Sequence, residues 1–294
     1  MAKIAVIGSL SIDLVVSAEK RPQAGETVLG NSFETVPGGK GANQAVAAAR
    51  LEADVTMIGR VGDDSFGETI LENLRANRVL TKYVEPVTHI RSGTAHITLA
   101  EGDNSIVVVK GANDHTTPEY VKKAEAAIRE ADIALVQLEI PMETVEYAAD
   151  LCDKLGVPLL LNPAPARPIS KEVIEKASFL TPNEHEFKIL FDGEDRSRVL
   201  KKYPNKLIIT EGKKGARFFN GQKELLIPGI SVPVVDTTGA GDTFNAAFAV
   251  QIAEGKSVEE ALEFANRAAA LSVTKFGAQG GMPTADEVER SRQG

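Results

Sequence analysis

A chain of 294 residues, 43% hydrophobic and 25% charged, can fill one full-sized globular core with a small appendage at most. Its net charge of −8 argues against a nucleic-acid surface, which works by neutralising phosphates. A single cysteine, Cys152, excludes an internal disulfide framework or a Cys-x-x-Cys metal cluster. No apolar run reaches the roughly 18 residues of a membrane span, and Met1 to Ser9 lacks the pattern of a secretory leader. The expectation is a cytoplasmic protein without nucleic-acid or membrane partners.

Lys3–Ile7 reads as a buried strand, and Gly8-Ser9-Leu10-Ser11-Ile12-Asp13 after it places Asp13 to accept from ligand hydroxyls. Leu14–Pro37 is extended and rich in turn residues. Pro37-Gly38-Gly39-Lys40-Gly41-Ala42-Asn43-Gln44 then opens a helix, Gly41–Leu51. Three glycines around one lysine suit close approach to a ligand, with Lys40 and Asn43 donating to sugar hydroxyls. The same segment also reads as a Gly-rich turn with a solvated lysine. It is not a P-loop, because Gly41 stands where a hydroxyl residue is required.

Val55–Ile58 (strand) and Ser65–Asn77 (helix) continue the alternation. Ile90–Lys110 departs from it: His96–Ala100 and Ser105–Lys110 flank the turn Glu101-Gly102-Asp103-Asn104 as a hairpin. With Leu14–Pro37 it would form a small antiparallel sheet, marginal alone and so expected to pack as a lid or against a partner subunit. Pro118–Glu130 (helix), Ile133–Leu138 (strand, ending at Glu139), Met142–Leu155 (helix), Pro158–Leu161 (strand), Lys171–Ala177 (helix) and Phe179–Thr181 (strand) follow. Such alternation implies an α/β fold, a mostly parallel sheet with helices on both faces, binding its ligands at the carboxyl ends of the strands.

In Thr181-Pro182-Asn183-Glu184-His185-Glu186, Thr181 as N-cap, Pro182 as first helical residue and Glu184 as capping partner account for a helix start. Asn183 and Glu186 are left over, and suit Mg²⁺ held through water. Lys206–Thr210 reads as a strand, and Thr210-Glu211-Gly212-Lys213-Lys214-Gly215 as a hairpin turn able to wrap a nucleotide. The strongest segment is Val235-Asp236-Thr237-Thr238-Gly239-Ala240-Gly241-Asp242-Thr243-Phe244, which runs into an amphipathic helix ending near Glu254. Its backbone N–H groups and helix dipole make an anion site. Asp242 lies in the first turn, where the helix field should keep it ionised and able to take a proton from a hydroxyl. Aspartate is also common at any helix start. The four histidines are scattered, without zinc-ligand spacing.

Together these segments resemble the ribokinase family of carbohydrate kinases over essentially the whole chain. Gly38-Gly39-Lys40-Gly41-Ala42-Asn43-Gln44 is similar to the family's N-terminal signature, Asp236 to Phe244 to its C-terminal one, and Asn183 with Glu186 to its Asn-x-x-Glu element. The resemblance implies one ribokinase-like domain over 1–294, with a small β lid from about 14–37 and 90–110 that also joins a homodimer. It implies ATP-dependent phosphorylation of ribose at the 5-hydroxyl. Deoxyribose, fructose, ketodeoxygluconate or a nucleoside is the alternative acceptor, and a sugar-sensing binding protein the non-enzymatic alternative. It makes Asp242 the base and Gly239, Ala240 and Gly241 the anion hole. Ser11, Asp13, Gly39, Lys40, Asn43 and Glu139 would line the sugar pocket, and Asn183, Thr210, Gly212, Gly215, Gly241 and Asn266 the ATP. Asp236, Thr238, Ser272, Lys275, Gly277 and Gly281 would surround K⁺, and Glu186 would organise Mg²⁺. Many ribokinases carry Asn at the place of Ser11.

Overall fold

The computed structural model describes residues 1–292. Strand β1 (Lys3–Ile7) sends Ile4 and Val6 into one apolar core and Ala5 and Ile7 into another. A strand buried on both sides needs cover on both sides, and the rest of the chain supplies it. Next come β2 (Ser11–Ala18), β3 (Gly30–Gly38), α1 (Lys40–Arg50), β4 (Asp54–Gly62), α2 (Ser65–Ala76), β5 (Leu80–Val87), β6 (Gly93–Ala100) and β7 (Asp103–Val109). After a 3₁₀ turn at Gly111–His115 follow α3 (Pro118–Lys122), α4 (Glu125–Arg129), β8 (Ile133–Gln137), α5 (Met142–Leu155), β9 (Leu159–Asn162), α6 (Lys171–Lys176), β10 (Phe179–Leu180), α7 (Glu184–Leu190) and α8 (Arg196–Lys202). The chain continues with β11 (Ile208–Thr210), β12 (Gly215–Phe219), β13 (Glu224–Pro228), α9 (Ala240–Ala253), α10 (Val258–Ser272), α11 (Ala278–Gly281) and α12 (Ala285–Arg290).

The main sheet has six parallel strands in the order β10-β9-β8-β1-β4-β5. The chain leaves β1 toward β4 on one side and later returns through β8 on the other. The gap between β1 and β8 is therefore the topological switch point, where open α/β sheets bind ligands. The loop Gly8 to Leu10 and the residues after Gln137 emerge there. Among the described residues no helix is long and apolar enough to cross a membrane.

The second sheet has the order β3-β2-β6-β7. It departs from the expected all-antiparallel arrangement in one pairing, because β2 and β6 run parallel at its centre. Each of these strands leaves the main sheet at its carboxyl end, β2 after β1 and β6 after β5, so they start side by side and point the same way. Glu101 and Gly102, at φ 58° and 75°, form the two-residue turn between β6 and β7. That geometry matches the right-handed twist of a hairpin.

Three further expectations are corrected, and one strand of the main sheet was missed. Strand β5 was not anticipated. The expected helix Pro118–Glu130 breaks at Lys123-Ala124, where buried Ala124 takes φ −94°, ψ 7°. Strand β11 pairs with β12, and β12 with β13, in a separate antiparallel sheet, joined to the end of β10 and the loop after it by the bridges Leu180↔Leu207 and Asn183↔Thr210. Helix α9 is not amphipathic over its first turns: Asp242 to Val250 are all buried, because it lies between α1 and α10 under the sheet.

Candidate active site at the switch point

Glycines bring the start of α1 against the β1–β2 loop. Gly39 has φ +88°, and a Cβ there would lie 2.8 Å from Ser11 N. A Cβ on Gly41 would meet Ser9 N at 2.6 Å, and one on Gly38 would meet Asp13 Oδ1 at 2.3 Å. These glycines let backbone approach backbone and leave room for Asp13. Gly39→Ala combines a positive φ with a backbone clash and is expected to destabilise the protein by roughly 1–3 kcal/mol, measured by denaturant unfolding.

The α1 start then draws charge together. Glu139, just past β8, accepts from Ser9 Oγ and from the Lys40 backbone N–H at 3.1 Å. Ser11 Oγ donates to Asp13 Oδ1 at 3.4 Å. Burial and neighbouring Glu139 push the Asp13 carboxyl up to about 6. Burial opposes the charge of Lys40, yet Asp242, Glu139, Glu186 and Asp13 outweigh it and hold the ammonium above its ordinary value. One lysine thus faces carboxylates from four separate segments.

Asp242 is 6% exposed. Asn43 Nδ2 donates to its Oδ2 at 3.0 Å, and Gln44 Nε2 to its Oδ1 at 3.1 Å. Burial raises its pKa, and Lys40, Asn43 and Gln44 oppose that rise without cancelling it. Gln44 also donates to Asn162 Oδ1 at 3.1 Å, Gln137 to Gln44 Oε1 at 2.7 Å, and Gln279 to Asn43 Oδ1 at 3.0 Å. The sequence reading assigned no role to Ser9, Gln44, Gln137, Asn162 or Gln279. Buried amides at otherwise apolar positions were the available signal.

Two cavities meet at the Gly-rich tip of α9. One, of about 540 Å³, lies beneath the second sheet and is lined by Asp13, Val15, Val36, Asp236, Thr238 and Gly277 among others. The other, of about 470 Å³, is lined by Asn183, Thr210, Gly212, Gly215, Gly241 and Asn266 among others. Val234 and Thr237 line both. Gly241 has no heavy atom within 4 Å of an added Cβ, so its backbone faces open space, whereas Gly239 packs on Ala278. Gly215, at φ +110°, is needed by the hairpin, since a Cβ would lie 2.0 Å from Ile227 O. Asn266 spends its Nδ2 on the carbonyls of Ile227 and Pro228, at 2.9 and 3.1 Å.

The start of α7 also differs from expectation. Asn183, not Thr181, is the N-cap, and its side chain accepts from the N–H groups of His185 and Glu186. Glu186 closes the capping box by accepting from Asn183 N–H at 2.8 Å. The two residues left over by the sequence reading are the cap itself, because the backbone stays extended through Pro182 and joins Thr210 by a bridge. Burial raises the pKa of Glu186.

Asp236 ties two loops together. It accepts from Thr238 N–H and Oγ1 at 2.9 and 2.7 Å, and from Gly277 N–H at 2.9 Å. Burial works against its charge, but these donors hold its pKa below the ordinary value. Gly281 abuts the Ser272 carbonyl, which would lie 2.0 Å from an added Cβ. The Lys275 side chain turns away to Glu287, 3.2 Å from Nζ. Among the described residues no group of three or more His, Cys, Asp or Glu side chains could hold a metal ion.

The chain as a whole is similar to known proteins. The chain is 64% identical over 289 residues to the ribokinase of Bacillus subtilis, covering 98% of this chain and 99% of that protein. It is 48% identical to the ribokinase of Lactococcus lactis, over 98% of this chain and 96% of that one. Among solved structures, Arabidopsis thaliana ribokinase complexed with ribose and ATP superposes with a TM-score of 0.91 at 37% identity, over 99% of this chain and 98% of that one. Residues 1–285 match the description "pfkB family carbohydrate kinase". With that match spanning both signature segments and the whole main sheet, the chain belongs to the pfkB family of carbohydrate kinases.

Proposed function

We propose that the protein phosphorylates ribose at its 5-hydroxyl, with ATP as donor, giving ribose 5-phosphate and ADP. The observation that carries this reading is the buried Asp242 carboxylate, held by Asn43 and Gln44 next to Gly241, whose backbone opens on the cavity of about 470 Å³. The high identity to the B. subtilis and L. lactis ribokinases supports the same reading. Ser11, Asp13, Gly39, Lys40, Asn43 and Glu139 hold the sugar. Asn183, Thr210, Gly212, Gly215 and Asn266 hold the nucleotide. Asp242 accepts the hydroxyl proton as the sugar oxygen bonds to the γ-phosphorus and the bond from that phosphorus to the ADP oxygen breaks. The N–H groups of Gly239 to Gly241 receive the charge spread over the transferring oxygens.

Two ions fit this arrangement. Glu186 commits one carboxylate oxygen to the cap, leaving the other to meet a water of Mg²⁺, whose remaining partners are phosphates and water. Asp236, an anion joining the 236–238 and 273–281 segments, suits K⁺ together with Thr238, Ser272, Lys275, Gly277 and Gly281 through their oxygens. When bound, Mg²⁺ screens phosphate charge and K⁺ steadies the loop that carries the anion hole.

Coupled ATP-turnover assays across ribose, deoxyribose, fructose, ketodeoxygluconate and adenosine, with and without K⁺, test the reading. Ribose should give the highest kcat/KM, with a lower rate when K⁺ is removed. Absence of any sugar-dependent turnover with Mg²⁺ and K⁺ present would refute it. Deoxyribose is the second candidate, because a Salmonella typhi deoxyribokinase is 39% identical over 97% of this chain.

The second sheet acts as a lid and as the seat of a homodimer. Phe33, Val107 and Val109 are at least half exposed, and the register puts them on the face turned away from the cavity. A paired Val107→Lys and Val109→Lys variant should sediment at the 31.3 kDa of one chain, where the unaltered protein sediments at twice that mass. A monomeric unaltered protein would refute the dimer.

A further inference from the structure

Both oxygens of Asp242 face amide nitrogens, and each of those amides is oriented by another amide behind it. An amide can present either end: turned by half a rotation, Gln44 or Asn43 would aim its oxygen at the carboxylate and repel it. Gln137 Nε2 donates to Gln44 Oε1 at 2.7 Å, and Gln279 Nε2 donates to Asn43 Oδ1 at 3.0 Å. Each bond holds the oxygen end away and leaves the NH₂ end for Asp242. The outer amides are held in turn. Gln279 Oε1 accepts from Asn73 Nδ2 at 2.7 Å, and Gln137 sits in space left by Gly8, whose added Cβ would fall 2.1 Å from Gln137 Oε1.

Stability alone does not account for Gln137. It is 0% exposed, and its Oε1 has no hydrogen-bond partner, a defect costing about 1–3 kcal/mol. An apolar side chain of the same size would avoid that cost. What it would lose is the donor to Gln44.

We propose that Gln137 and Gln279 are positioning residues for phosphoryl transfer, fixing the orientation of Gln44 and Asn43 so that Asp242 stays aimed and able to take the acceptor proton. This rests on Asp242 being the base. The other charged groups facing that carboxylate are Lys40 on α1, Glu139 beyond β8, Asp13 on β2 and Glu186 on α7. Only Lys40 favours the ionised form, so the amide donors matter to the balance. Losing one lets the proton stay on Asp242 to higher pH.

The test is the pH profile of kcat for Gln137→Met, Gln279→Met and Asn73→Ala in the full-length enzyme, saturated with ribose and ATP. Asn73 lies partly exposed on α2, so its variant should fold whatever happens to the buried ones. The acid limb should move up by about one pH unit in both Gln variants, an approximately tenfold loss of kcat below it, and less in Asn73→Ala. KM for ATP should stay unchanged. Restoring an amide with Gln137→Asn should recover part of the shift. An unmoved acid limb in both Gln279→Met and Asn73→Ala overturns the proposal, as does a fall in kcat that is equal at every pH. Lack of ribose-dependent turnover by the unaltered enzyme would instead overturn the reading of Asp242 as base.

Discussion

Asp242→Asn should lower kcat by about a hundred- to ten-thousandfold while leaving ribose binding within a few fold, because positioned proton transfer supplies that range. The substitution keeps the size and burial of the side chain and removes its capacity to accept a proton. Its second effect is local. Asn43 and Gln44 both donate to the carboxylate, so an amide at position 242 turns one acceptor into a donor and one of these bonds is lost. Steady-state kinetics and ribose titration calorimetry separate the two effects. A kcat within tenfold of the unaltered enzyme would remove Asp242 as the base.

Lys40→Met should lower kcat/KM by at least about a hundredfold near neutral pH, since stripping the counter-charge from buried carboxylates costs on the order of 3–5 kcal/mol. The direction in pH follows from the same charges. Burial already raises the Asp242 pKa, and Lys40 is the first influence opposing it. Without the ammonium that pKa climbs further, because the opposite charge that favours the ionised form is gone. A base must be deprotonated to act, so activity is lost as pH falls through this higher value and partly recovered at alkaline pH. An acid limb at its original position would show that Lys40 does not govern this carboxylate.

Much of the fold was legible because its signals are local. Helix α5 was expected at Met142–Leu155 and found there, with Gly156 at φ 70° ending it. Strand β1 is likewise at Lys3–Ile7. Strand β5 was missed because Leu-Thr-Lys-Tyr-Val-Glu-Pro-Val mixes charge and proline through an edge position, where only one neighbour demands apolar residues. The parallel pairing of β2 with β6 joins segments some eighty residues apart, which no turn residue encodes. At the site, Asp13, Lys40, Asn43, Glu139 and Asp242 stood out because each follows a strand or opens a helix beside glycines. Gln44, Gln137 and Gln279 did not, since an amide within a helix or at a strand end looks like surface until the chain is folded around it.

The second sheet grows out of the main one without any linker. Strand β2 starts at Ser11 and carries Asp13, while β3 ends at Gly38, two residues before Lys40. Side chains alternate along a strand, so one residue inserted between Ser11 and Asp13 would turn that carboxylate to the outer surface and shift every pairing beyond it. Descendants of this protein can therefore lengthen the second sheet at its Glu101-Gly102 tip without disturbing that register. They cannot change the number of residues between the core and Asp13.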